Sequence, residues 1–368
     1  MNKTITALTI IMASFAANAS VLPETPVPFK SGTGAIDNDT VYIGLGSAGT
    51  AWYKLDIQAK NKSWTALAAF PGGPRDQATS AFIDGNLYVF GGIGKNSEGL
   101  TQVFNDVHKY NPKTNSWVKL MSHAPMGMAG HVTFVHNGKA YVTGGVNQNI
   151  FNGYFEDLNE AGKDSTAIDK INAHYFDKKA EDYFFNKFLL SFDPSTQQWS
   201  YAGESPWYGT AGAAVVNKGD KTWLINGEAK PGLRTDAVFE LDFTGDNLKW
   251  NKLAPVASPD GVAGGFAGMS NDSLIFAGGA GFKGSRENYQ NGKNYAHEGL
   301  KKSYSADIHL WHNGKWDKSG ELSQGRAYGV SLPWNNSLLI IGGETAGGKA
   351  VTDSVLISVK DNKVTVQN

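Results

Sequence analysis

Cysteine is absent from the 368 residues of this chain. That excludes disulfides and thiolate chemistry. Arginine is nearly as scarce: of 33 basic residues only Arg75, Arg234, Arg286 and Arg326 are arginines. With a net charge of −1 and no block of Lys or Arg, the chain lacks the clustered positive charge that nucleic acid or an anionic membrane surface requires. No apolar run after the N-terminal segment reaches the ~18 residues of a membrane-spanning helix, so no membrane insertion is expected. No serine-nucleophile elbow is found either. Among eight histidines, His309 and His312 stand three apart in a strand-like stretch and point to opposite faces, so no metal site is expected.

What the chain does have begins with an N-terminal Met-Asn-Lys, an apolar run from Thr4 to Ala16 and the small residues Ala17-Asn18-Ala19. That is the layout of a cleaved secretory signal over 1–19, with Ser20 opening the mature chain. Export without any cysteine points to a bacterial periplasm.

The remainder, 20–368, is organised by a repeat. Short β-branched or aromatic runs end in Gly-Gly at Gly92, Gly145, Gly279 and Gly343, and in degenerate copies at Gly46 and Gly227. After each of the first five marks comes a polar turn and a tryptophan: Trp64, Trp117, Trp199, Trp250 and Trp316. From each tryptophan to the next mark the spacing is 28, 28, 28, 29 and 27 residues, which defines one structural unit. From mark to tryptophan it stretches over 18, 25, 54, 23 and 37 residues, so insertions enter at one loop of the unit. Four strand-like runs per unit, with these glycines and tryptophans, resemble the kelch repeat and predict an all-β, six-bladed kelch-type β-propeller. The last unit has no tryptophan. Its fourth strand is expected from "KVTVQN" or from the N-terminal "PVPFKSG".

Two insertions stand out. Residues 147–186, in the third blade, carry Ile168, Ile171, Tyr175 and Tyr183 at near-helical spacing behind a capping Asp164 or Ser165, which predicts a helical hairpin. Residues 280–303 are rich in Gly, Asn and Tyr without periodicity and read as an irregular loop. Both either cover a central pocket, decorate its rim or serve as the contact of a homodimer.

All four arginines map to the same face of the expected ring as the insertions. Their planar forks suit a carboxylate, so Arg75, Arg286 and Arg326 are candidate substrate-binding residues, as is Glu344. Glu228 and Glu344 each follow a Gly-Gly-type mark directly, at the rim of the central channel, and Glu228 has Arg234 in its own loop. The alternative reading is a carboxylate that only ties down that loop.

"GGIGKNSEGLTQVFNDVHKYNPKTNSW", "INGEAKPGLRTDAVFELDF" and "IIGGETAGG" closely resemble the N-acetylneuraminate epimerases, periplasmic sialic acid mutarotases, and the likeness spans the whole chain. The resemblance implies conversion of α-N-acetylneuraminate to its β-anomer before uptake. It assigns Glu228 as proton acceptor with Arg234 as its functional partner, and it implies no cofactor. A sialidase-like hydrolase is the first rival, but no Ser-x-Asp-x-Gly-x-Thr-Trp turn occurs. A non-catalytic sialoglycan-binding module is the second.

Overall fold

The computed structural model describes residues 21–245 and 248–368. The expected signal segment 1–19 lies outside the described residues. The chain folds into six four-stranded antiparallel sheets, each built from four strands of one repeat ordered first to fourth across the sheet. The first strands are Thr33–Asp37, Thr79–Ile83, His131–His136, Ala214–Lys218, Phe266–Ser270 and Val330–Trp334. Each touches the next in cyclic order, and the last returns to the first.

The second strands show why the arrangement holds. "SLIFA" and "SLLII" are buried at all five positions, because a strand with a neighbouring sheet on either face has no solvent side. Six apolar clusters fill the six junctions between neighbouring sheets. Phe90, Val142 and Phe192 join sheets 2 and 3, and Val41, Ile43 and Ile341 join sheets 1 and 6. The repeat tryptophans lie at these junctions, half-buried except for the fully buried Trp316.

Both residues of every Gly-Gly mark have positive φ, and Leu45 and Asn226 take the first place in the two degenerate copies. A Cβ on Gly342 would lie 2.3 Å from the carbonyl oxygen of Phe29, so at this mark glycine is set by close backbone approach as much as by φ. The last sheet is completed by the C-terminus, Lys363–Gln367, paired with Ser354–Lys360. The N-terminal segment contributes Phe29, which bridges to Val351 and fills the junction of sheets 1 and 6.

Between the second and third strands of sheet 3 run α1 (Gln148–Ala161) and α2 (Ser165–Phe176). The Asn147 and Asp164 side chains cap them by accepting N–H bonds from their first turns. The segment 280–303 departs from the irregular loop read in its sequence. It is a two-stranded ribbon, Ala280–Phe282 with Lys302–Tyr304, enclosing the short helix α3 (Ser285–Gln290). No cap residue precedes α3. Its N-terminal N–H groups at Gly284 and Arg286 are instead taken by Asp260, 24 and 26 residues upstream, and so distant a cap leaves no local signal.

No described helix is long and apolar enough to cross a membrane.

Candidate functional site

Where each second strand leaves its Gly-Gly mark, the next residue stands at the mouth of the ring. Those six residues are Ser47, Ile93, Val146, Glu228, Ala280 and Glu344, and only two of them are acids. Glu228 is fixed there by a two-way backbone bridge with Ala211, at 2.7 and 3.0 Å, and Glu344 by the matching bridge with Ala327. Both border a cavity of about 830 Å³ whose walls are the first strands and whose rim includes Arg234, Lys302, Tyr328 and the aromatic face of the helical insertion.

Glu228 and Arg234 lie directly opposite each other in a small hairpin, Glu228–Lys230 with Leu233–Arg234, and form an ion pair. The Gly232 N–H donates to Glu228 Oε1 at 2.7 Å, and Gly232 needs its positive φ (80°) to turn the hairpin. Arg234 is 6% exposed. Its Nε donates to the Ala280 carbonyl at 3.3 Å and its guanidinium lies over the Phe282 ring at 5.4 Å. Burial lowers its pKa, offset by the neighbouring Tyr328. His297, packed against Gly232 and flanked by Arg234 and Lys230, is pushed down to about 4, first by burial and then by those two cations. It is therefore neutral at pH 7.

Glu344 is committed to its surroundings. Oε2 accepts from Lys30 Nζ at 2.6 Å, and Oε1 accepts from Lys302 Nζ and the Tyr304 hydroxyl, each at 2.5 Å. Burial would raise its pKa, but the bonds from Lys30, Lys302 and Tyr304 outweigh it and hold the carboxyl down to about 2. It is a permanent anion that anchors Lys302 at the rim.

The other three arginines are not brought together at the cavity. Arg75 makes a bidentate pair with Asp106, at 2.5 and 2.9 Å, and donates to the Gly91 carbonyl. Arg326 repeats the motif with Asp353 at 2.6 Å and the Gly342 carbonyl. Arg286 grips Asp236 through two bonds of 2.9 Å. In each case the aspartate lies at or just before the third strand of a sheet; Arg75 and Arg326 tie a repeat's glycine mark to its own sheet, and Arg286 ties the insertion of the fifth sheet to the fourth. Arg234 alone among the four lines the cavity. The pairing of "PR" or "GR" before a first strand with "ND" or "TD" before a third strand, recurring in two repeats, was the signal for this role.

Lys302, Tyr328, Lys230 and His297 carry no motif in the sequence. Lys302, Lys230 and His297 reach the site through loops between second and third strands, and Tyr328 through the stretch just before the first strand of the last sheet, and only the fold sets how these meet. Among the described residues no three His, Asp or Glu side chains group as a metal site.

A broad mouth with an acid–arginine pair, a second cation and an aromatic wall offers donors suited to a small polar anion and a carboxylate able to move protons. The chain belongs to the N-acetylneuraminate epimerase family, whose model matches residues 22–366. Curated N-acetylneuraminate epimerases of Escherichia coli O1:K1 / APEC and of Escherichia coli strain K12 are 98% and 97% identical to it over 368 residues, covering 100% of each chain. A solved structure, that of YjhT, superposes with a TM-score of 0.94 at 98% identity, covering 95% of this chain and 100% of the other.

Proposed function

We propose that this chain interconverts the anomers of N-acetylneuraminate at the mouth of a six-bladed kelch-type propeller, with Glu228 moving protons and Arg234 as its functional partner. It is an isomerase of the epimerase class, as its family membership establishes. The observation that carries the assignment of the site is the Glu228–Arg234 pair, set opposite each other in one hairpin on the rim of the large cavity.

The chemistry fits that inventory. Anomer exchange at the hemiketal carbon requires removal of the anomeric hydroxyl proton and protonation of the ring oxygen as the ring C–O bond breaks. The open keto acid then recloses on its other face, and the protons return. General acid–base help of order 10²–10⁴ suffices, since the ring already opens slowly in water. Arg234, buried and offering only donors, suits the substrate carboxylate and holds Glu228 in place.

The propeller reading is supported by the cyclic contact of the first strands and the six apolar junctions between sheets. The helical insertion and the 280–303 ribbon form the rim of the same mouth. Periplasmic location remains part of this proposal on the strength of the segment 1–19.

Anomer-resolved NMR of freshly released α-N-acetylneuraminate tests the assignment. Glu228→Gln is expected to lower the enzyme-dependent rate by ~10²–10⁴, and a wild-type rate would remove Glu228 from the mechanism.

A further inference from the structure

The mouth is floored by a belt of six residues, one per repeat, lying just before the first strands: Ser31, Gln77, Gly130, Gly212, Gly264 and Tyr328. All six have φ between 55 and 65°. Backbone N–H groups link them around the ring: Ser31 to Tyr328, Gln77 to Ser31, Gly212 to Gly130, Gly264 to Gly212, and Tyr328 to Gly264, at 2.7–3.0 Å. Left-handed backbone is free for glycine and strained for an aromatic residue. Tyr328 holds it at φ 56° although glycine serves at three other places of the same belt. Three repeats keep a non-glycine residue in this conformation, Ser31, Gln77 and Tyr328, and of these Tyr328 alone carries an aromatic ring; strain kept for so bulky a side chain points to a side chain needed at that place.

The ring of Tyr328 lies over Gly264, where a Cβ would stand 2.3 Å from it, so glycine there makes room for the tyrosine. The Lys302 ammonium sits 4.5 Å from the ring centroid, and Lys302 is itself anchored by Glu344. Tyr328 and Arg234 line the same cavity, and Tyr328 is near enough to Arg234 to raise its pKa against the effect of burial. Arginine has no acceptor, so the phenol oxygen meets it only as an acceptor and keeps its own proton for another partner. Tyr328 lines the cavity together with Glu228.

We infer that Tyr328 is the second proton-transfer group of the anomer exchange, facing the substrate beside Glu228. This inference rests on the Glu228 reading above. Glu228 takes the anomeric hydroxyl proton. As the bond from the anomeric carbon to the ring oxygen breaks, its electron pair stays on that oxygen, which takes the Tyr328 proton, and a carbonyl forms at the anomeric carbon. Arg234 and Lys302 face the resulting phenolate. On reclosure the former ring hydroxyl adds to the other face of the carbonyl and returns its proton to Tyr328, while Glu228 returns its proton to the carbonyl oxygen. Both groups end as they began.

The test compares Tyr328→Phe, Tyr328→Asn and Glu228→Gln by anomer-resolved NMR, by Kd for N-acetylneuraminate and by thermal unfolding. Tyr328→Phe keeps the ring on Gly264. It is expected to lower the rate ~10²-fold with Kd within about twofold of wild type and Tm unchanged. Tyr328→Asn, which accepts left-handed backbone, is expected to be equally slow with Tm held or raised. A wild-type rate in Tyr328→Phe while Glu228→Gln is slow overturns this inference alone. A wild-type rate in Glu228→Gln overturns the parent reading. A rate loss in Tyr328→Phe explained wholly by weaker binding, or a Tm drop of several degrees in both Tyr328 variants, assigns the residue to binding or packing and overturns its proton-transfer role.

Discussion

Replacing Lys230 by methionine tests whether the two insertions are held over the mouth by a single buried charge. Lys230 is fully buried, two residues beyond Glu228 in the same short strand. Its ammonium donates to the carbonyls of Phe176 (2.9 Å), Lys178 and Asn294 (2.6 Å), and faces the rings of Tyr183 and Tyr289 at 5.2 and 5.7 Å. One side chain thus joins the end of α2, the 280–303 segment and the Glu228–Arg234 hairpin. Three bonds from a charged donor contribute about 1.5–3 kcal/mol each, roughly 4.5–9 kcal/mol in all. Against this stands the burial of the ammonium, which lowers its pKa from 10.5 to about 8 and so costs about 3.4 kcal/mol. Methionine matches the length of the stem and escapes that cost, so the net destabilisation should be about 1–6 kcal/mol. Urea unfolding followed by tryptophan fluorescence measures it. If the insertions lift to let water reach the freed carbonyls, part of the loss will appear instead as faster hydrogen exchange in segments 165–183 and 284–297. A loss below about 0.5 kcal/mol with unchanged exchange in both segments would refute the clamp.

Two further outcomes follow from the buried charges. Asp106→Asn strands the Arg75 guanidinium without its partner and should cost about 3–5 kcal/mol in stability, with the KM of the folded enzyme unchanged. A raised KM at unchanged stability would return Arg75 to the substrate site. His108 and His131, 2% and 4% exposed, are pushed down to about 4 and about 3, both chiefly by burial. Because the unfolded histidines take protons first, stability is complete above pH 6.5 and is lost as pH falls toward the folded values. At pH 5 each should have lost about 2 kcal/mol. Stability that holds down to pH 4.5, where carboxylates begin to protonate, would contradict the buried neutral state.

The repeat was legible because its spacing is set by backbone geometry: a glycine mark at positive φ, a strand, a turn and a junction tryptophan recur at near-constant intervals. Glu228 was legible as a position for the same reason, one residue beyond a mark, and Arg234 because the pair closes within a single hairpin. The roles of the remaining arginines were not. Scarcity and a shared face drew Arg75, Arg286 and Arg326 into one group, yet each is consumed by an aspartate 27 to 50 residues away, and a residue's partner at that range is fixed only by which strands become neighbours. The second cation that lines the cavity with Arg234 is instead Lys302, one of 29 lysines, singled out by nothing in its own neighbourhood but held at the rim by Glu344. Tyr328 shows the same limit from the other side. Its backbone angle is shared by its five belt partners, three of them glycine, so what sets it apart is an aromatic ring carried at a left-handed position, and that becomes visible only once the repeats are aligned by their hydrogen bonds. In a fold that supplies six equivalent positions around one axis, chemistry is placed by breaking the equivalence, and the positions to test first are those where the common residue has been given up at a cost in strain.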